Sequence, residues 1–252
     1  MFGSVMEFSV EQCDEDPIEV RMAALRREDM PEFILNGGMQ SRVVNRYLGR
    51  QTAPVLEDEY DWFDKQRNAA DQIGWGIYVK VGDTWQVIGN SGFNNVATNT
   101  MFRRATSGFL IFRPEYWGKR IASHCHRART MYAFDELGIS CIYSGVFGPN
   151  QGSAKALEQV GYVQTGVNRN EGMHQGQFLH HMHYECINPA DWAWNAWWWD
   201  GSPGQKWLEA RERTQAALEW ARANVIYVQL EFSSRCWRRP PADLALGISE
   251  GY

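Results

Sequence analysis

The order of apolar patterns along this chain predicts an α/β layer fold, a mixed sheet with helices on both faces. Three observations carry that prediction. The strand-like runs "WGIYVKV" (75–81) and "TWQVIGNSGF" (84–93) meet at the turn Gly82-Asp83, a hairpin and therefore an antiparallel pair. A single helical pattern separates "TSGFLIF" (106–112) from "SCIYSGVF" (140–147), the crossover that joins parallel strands. Two more strand-like runs, "GYVQTGVNR" and "GQFLHHMHYEC", close the order after a short helix.

Taken in order, residues 1–17 read as a loose leader and "IEVRMAAL" (18–25) as a strand. "REDMPEFILNGG" starts a helix, with Asp29 as its cap, Pro31 in its first turn and Gly37-Gly38 as its stop. "LEDEYDWFDKQRNA" (56–69) is an amphipathic helix, acids early and cations late as the helix dipole favours. The run 106–112 is apolar enough for a central strand. Ile121, Cys125, Ala128 and Tyr132 then fall at i, i+4, i+7 and i+11, one buried stripe of a helix that Gly138 ends. Gly148-Pro149 leads into the short helix "NQGSAKALEQV", stopped by Gly161. No internal repeat is visible. After Cys186 the composition changes to a Trp-rich loop, "NPADWAWNAWWWDGSPG", a helix, "QKWLEARERTQAALEWARAN", and a strand, "VIYVQLEF". The chain thus divides into a domain over 1–187, an extension over 188–232 and a disordered tail over 233–252.

A net charge of −5 makes no electrostatic case for nucleic acid or an anionic membrane as partner. No stretch approaches the roughly 18 apolar residues of a membrane helix, and no basic segment precedes an apolar core as in a signal peptide. Five scattered cysteines (Cys13, Cys125, Cys141, Cys186, Cys236), odd in number and without a CxxC pair, predict reduced thiols and a cytoplasmic setting.

The stretch "FRPEYWGKRIAS" (112–123) is a strand-to-helix junction with one glycine and two adjacent cations. Glycine ahead of a helix lets backbone N–H groups approach a ligand, and the positive helix end favours an anion. Lys119 and Arg120 add charge-assisted contacts to phosphate. The plainer reading is an ordinary helix start whose cations face water.

Strand, "RPEYWGKRIAS", helix, strand and "GPNQGSAKALEQVGY", in that order, resemble the GCN5-related N-acetyltransferase (GNAT) superfamily. Within it, the chain is similar to the RimJ/RimL-like branch that acetylates N-terminal residues of ribosomal proteins. The resemblance covers residues 18–187 and implies a mostly antiparallel central sheet, acetyl-CoA as co-substrate and no metal. In that family the diphosphate of acetyl-CoA lies on a loop of pattern Gln/Arg-x-x-Gly-x-Gly/Ala. The matching positions are Trp117, Gly118, Lys119, Arg120, Ile121 and Ala122, followed by Ser123. Trp117 stands for Gln/Arg, and Arg120 for the central glycine. Arg120 either swings out to bind a CoA phosphate or weakens binding by crowding the backbone. The second segment resembles Asn-x-x-Ser-x-(Lys/Arg)-x-Leu-x-x-x-Gly-(Phe/Tyr), supplied by Asn150, Ser153, Lys155, Leu157, Gly161 and Tyr162. In relatives the Asn contacts the pantetheine arm and the Ser lies near the thioester sulfur. Asn150 equally suits a helix cap on the N–H of Ser153.

Moving acetyl from a thioester to an amine needs a neutral amine, a polarised carbonyl and a stabilised thiolate. An α-amine has a pKa of about 8 and a lysine about 10.4, so an N-terminal acceptor asks little of a base. The resemblance places Glu171 at the position of a candidate base; a solvated loop carboxylate is the alternative. Polarisation falls to backbone N–H groups at the strand end, near Ile111 and Phe112, with Arg113 beside them. Many superfamily members protonate the thiolate with a tyrosine seven residues after the Asn. Leu157 stands there instead, leaving Ser153 as donor. Cys125 and Cys141 sit in apolar patterns and read as core. The acceptor is a small-molecule amine or a protein N-terminus. The rival expectation is a degenerate relative that senses acyl-CoA or acts as a scaffold, kept open by Arg120 and Leu157.

Two H-x-H pairs remain. His124 and His126 point apart on a helix, whereas His181 and His183 share a strand face but lack a nearby Asp or Cys ligand in sequence, so no metal is expected. His174 and His180 are candidates for the acceptor site. Trp192, Trp194, Trp197, Trp198 and Trp199 either pack the added helix on the domain or form a cleft wall or homodimer contact.

Overall fold

The computed structural model describes residues 1–228 except 14, 36–37, 49–51, 99–100, 102, 192–193 and 195–202. Residues 6–10, "MEFSV", bury Met6, Phe8 and Val10 on one side and turn Ser9 to solvent, the two-residue period of a half-buried strand. This strand, β1 (Met6–Val10), pairs antiparallel with β2 (Ile18–Ala23), which corrects the expectation of a loose leader. Its run is short and broken by Glu7 and Ser9, so apolar content hid what alternation shows.

The strands β3 (Ile73–Val81), β4 (Thr84–Ala97), β5 (Arg104–Ile111), β6 (Cys141–Phe147), β7 (Val163–His174), β8 (Gln177–Ile187) and β9 (Ile226–Tyr227) complete the sheet. Its order is β7-β8-β6-β5-β4-β3-β2-β1-β9. Every adjacent pair is antiparallel except β5 with β6.

One face carries α1 (Met30–Ile34), α2 (Arg42–Asn45) and α3 (Leu56–Asn68), whose Phe33, Val44 and Phe63 join Tyr78, Val87 and Phe112 in a core of their own. The other face carries α4 (Ile121–Met131), α5 (Gln151–Glu158) and α6 (Gln205–Asn224). Asp29 does not cap α1 with its side chain: its carboxylate accepts from the Arg26 N–H and the Tyr78 hydroxyl instead. Ile121, Cys125 and Ala128 of the α4 stripe are buried and Tyr132 partly so, and the helix runs on into a π turn, Tyr132–Glu136, where Tyr132 packs edge-on against Trp75. Along α6, Ala210, Thr214, Ala217, Leu218 and Ala221 make a narrow buried stripe. Small side chains let α6 settle closely on α4, where Trp220 meets His124 edge-on and Arg222 pairs with Asp135. The extension reaches the sheet as well, through β9 on β1. The rest of "VIYVQLEF" beyond Val228, the tail 233–252, and Trp192, Trp197, Trp198 and Trp199 lie outside the described residues. Trp194 is buried, donates its indole N–H to the Asn188 carbonyl and lies beneath the Arg211 guanidinium of α6. No described helix is long and apolar enough to cross a membrane.

The sheet opens between β5 and β6. Among the described residues they pair only at Arg104–Cys141, Ala105–Ile142 and Thr106–Tyr143, yet β5 runs on to Ile111 and β6 to Phe147. Past Thr106 the sheet is split. Because the two strands are parallel, their open ends point the same way, and α4 and α5 both start there. A crevice at the carboxyl ends of parallel strands is the usual ligand position of α/β sheets.

Candidate active site

The edge of β5 inside the split is defined by strand alternation. Phe112 donates its N–H to the Ile88 carbonyl of β4 at 3.0 Å, and Ile111 stands opposite Gly89. Alternation therefore turns the N–H and C=O of Ile111 away from β4, into the split. The Ile111 carbonyl accepts the indole N–H of Trp117 at 2.9 Å. Its N–H points into the opening. Of the two amides expected to polarise a thioester, that of Phe112 is thus committed to the sheet, and that of Ile111 faces the split. The Arg113 side chain is also committed, to Glu32 of α1 and to the Val87 carbonyl.

Below the split, fully buried Arg129 of α4 ties β4 to β5. Its guanidinium donates to Ser91 Oγ at 2.9 Å, to the Gly108 carbonyl at 2.7 Å and to Ser107 Oγ. Sequence reading passed over this residue; its position beside the apolar stripe of α4 was the available sign.

The loop entering α4 has Gly118 at φ 77° and Arg120 at φ 59°, both left-handed. The family pattern has glycine where Arg120 stands, which this backbone explains: only glycine takes it without steric cost. Arg120 takes it nonetheless. Its guanidinium reaches the Glu11 carbonyl at 2.8 Å, so its side chain leaves the helix mouth open. Lys119 pairs with Glu15 at 2.8 Å, which holds that exposed carboxyl below its ordinary range, and Gln12 donates to the Lys119 carbonyl. Glu11, Gln12 and Glu15 thereby brace the loop. The first-turn N–H groups of any α-helix have no partner within it, so Ile121, Ala122 and Ser123 present donors at the end of the split. The Ser123 hydroxyl is turned back to the Arg120 carbonyl.

Arg120→Gly exchanges a left-handed arginine, costing about 1–2 kcal/mol, for a more flexible unfolded chain, costing about 0.5–1. The expected change in unfolding free energy by urea titration is a gain between about 0 and 1.5 kcal/mol. A loss above about 2 kcal/mol would show that the Glu11 contact holds the loop.

On the β6 side, Asn150 caps α5 by accepting the Ser153 N–H at 3.4 Å, which leaves its amide N–H groups for another partner. Ser153 is half-buried on the same first turn. Lys155 is exposed and lines a cleft with Lys206 and Arg213 of α6, away from the Gly118 loop. Leu157 is core. Cys125 and Cys141 are buried or nearly so, and burial pushes both thiols up to about 12, which removes them as nucleophiles.

On the α1–α3 face, a cavity of about 240 Å³ lies between α3 and the sheet, lined among others by Phe33, Trp62, Gln66, Asn90 and Ser91. Its wall includes Gly108–Leu110, the part of β5 that pairs with β4 but not with β6. The β7–β8 hairpin flanks the same face, where His174 meets Tyr47 at 6.4 Å between ring centres. Glu171 sits on a β7 bulge whose residues 169–171 stand opposite His180 alone. Its carboxylate accepts from the Asn168 amide and from His181 Nδ1 at 2.9 Å, contacts that hold it below the ordinary carboxylate range. His180 Nδ1 accepts the Asn170 N–H. The His124 and His126 rings point to different surroundings, His124 to Trp220 and His126 to buried Arg129 and Phe109.

The described residues thus place a split between parallel strands, a helix mouth offering amides, and a separate cavity on the α1–α3 face close together on one sheet. Residues 19–163 match the family model described as "Acetyltransferase (GNAT) domain". An uncharacterized N-acetyltransferase of Bacillus subtilis (strain 168), YoaA, is 33% identical over 151 residues, 59% of this chain and 82% of that protein. Spermidine N-acetyltransferase from Vibrio cholerae, solved in complex with CoA and spermine, superposes with a TM-score of 0.58 at 18% identity, over 67% of this chain and 95% of that one. Mycobacterium smegmatis RimJ in complex with CoA-disulfide gives 0.60 at 14% identity, over 90% of this chain and 97% of that one. At such identities the two solved structures speak for the fold alone.

Proposed function

Since this chain belongs to the GNAT acetyltransferase family, we propose that it moves acetyl from acetyl-CoA directly to a primary amine, a protein N-terminus or a small-molecule amine, as a RimJ/RimL-like enzyme of the cytoplasm. The observation that carries the reading is the split between β5 and β6, with the mouth of α4 at its open end.

In this proposal the diphosphate lies on the amides of Gly118–Ser123, where helix dipole and the Lys119 charge act together. The Arg120 side chain, held on the Glu11 carbonyl, supports the loop instead of contacting phosphate. The pantetheine arm runs between the strands toward Asn150. The Ile111 N–H donates to the thioester oxygen as negative charge develops there. The amine enters from the α1–α3 face, attacks the carbonyl carbon and loses a proton to Glu171 through water. The tetrahedral intermediate collapses, the C–S bond breaks and the departing thiolate takes a proton through the Ser153 hydroxyl. That hydroxyl regains one from solvent water as Glu171 returns its own to water. Catalysis is assigned to 1–187, with 188–232 as a packing extension.

Lys119 is half-exposed and already engaged by Glu15, so its contact to phosphate is worth about 1 kcal/mol after screening. Lys119→Ala is therefore expected to weaken acetyl-CoA binding roughly fivefold by calorimetry. An unchanged affinity moves the diphosphate elsewhere.

Thermal shift with acetyl-CoA, followed by thiol release over a panel of N-terminal peptides, polyamines and small amines, tests the whole reading. Stabilisation with release for one acceptor class supports it. Stabilisation with no release for any amine favours the acyl-CoA sensor, which Leu157 still allows; the open mouth beside Arg120 speaks against it.

A further inference from the structure

We propose that Glu171, His181 and His183 form a binding site for one divalent cation of the zinc class on the α1–α3 face of the sheet. The residues come from two strands. His181 and His183 alternate on one face of β8, ring centres 5.0 Å apart. Sequence reading found no nearby Asp or Cys ligand, because the third group comes from the neighbouring strand: the β7 bulge carries Glu171 across to His181. One ligand atom from each of the three residues lies within 4.8 Å of the others.

The donor set selects the ion. Two imidazoles and one carboxylate suit Zn²⁺, Co²⁺ or Ni²⁺, whereas Mg²⁺ and Ca²⁺ want oxygen throughout. Three protein ligands leave a coordination position to water. The neighbours hold the ligands in place, as outer contacts of metal sites do. Phe147 packs on the His181 ring at 5.0 Å, and the backbone of Gly145 lies against its edge, where a Cβ would stand 2.2 Å from Nε2. Asn168 holds the second oxygen of Glu171. Glu171 is exposed and both histidines are half-buried, so an ion enters from solvent without opening the core. A bound ion would draw Glu171 away from the amine, a consequence that rests on the proposed acceptor reading. The binding itself is measured without acetyl transfer.

The test is a titration of metal-free protein with Co²⁺, followed by visible absorption and by calorimetry, in the wild type and in His181→Ala, His183→Ala and Glu171→Gln. Thermal shift with CoA reports folding of each variant. The expected result is one equivalent bound by the wild type, bands of nitrogen and oxygen ligation, and affinity at least about tenfold weaker in each folded variant. Glu171→Gln, an exposed isostere, keeps the test decisive if a histidine variant misfolds. No stoichiometric binding, equal affinity in the variants, or the near-ultraviolet bands of a cysteine-bound ion overturns the site.

Discussion

Replacing Ile111 with proline is expected to lower kcat by about 10²–10³, the usual consequence of removing one oxyanion donor. Proline deletes a single N–H, and that N–H faces the split. The ladder to β4 uses Phe112, not Ile111, and strands accept proline where the missing donor lies outside the ladder. The side chain of Ile111 is core, only 8% exposed, so its loss has to be separated from loss of the donor. Ile111→Ala does this: it is expected to destabilise by about 2–4 kcal/mol yet keep kcat within a few-fold. Thiol release by both variants, at a temperature where both are folded, gives the comparison. Equal turnover in the two variants would mean that another group polarises the carbonyl.

Gly89→Ala is the second large effect. Ile77 pairs with Gly89 and Tyr78 with Val87, so Ile88 is an extra residue and β4 bulges next to the split. There β4 and β5 come so close that a Cβ on Gly89 would stand 2.1 Å from the Leu110 carbonyl oxygen and 3.0 Å from Ile111 Cα. Both neighbours are backbone and cannot rotate aside. The end of β5 must move, at about 1–3 kcal/mol in stability by urea titration. A shift near 1 Å at Ile111 is expected to lower kcat about 10²-fold, because the donor misses the oxygen. Loss of stability with kcat intact would separate Ile111 from the chemistry.

Most elements were legible because their signals are local. The hairpin turn at Gly82, the α4 stripe from Ile121 and the boundaries of α6 need only neighbouring residues to be read. β1 was missed because a five-residue strand with two polar residues looks like a loop when apolar content is weighed over alternation. The split between β5 and β6 is an end to pairing between strands far apart in sequence, and no single residue announces it. The choice between Ile111 and Phe112 is similar, since it turns on register with β4. Arg120 was readable in half: the family glycine implied special backbone, but the route of its side chain to Glu11 depends on the turn after β1. The Glu171–His181 contact required a bulge that shifts register across two strands.

The most direct test is a crystal structure with acetyl-CoA bound. The account predicts diphosphate oxygens about 3 Å from amides of 118–123, the pantetheine arm between β5 and β6 past Thr106, and the thioester oxygen on the Ile111 N–H. Acetyl-CoA seated on any other surface, with β5 and β6 closed upon each other beyond Tyr143, would contradict it.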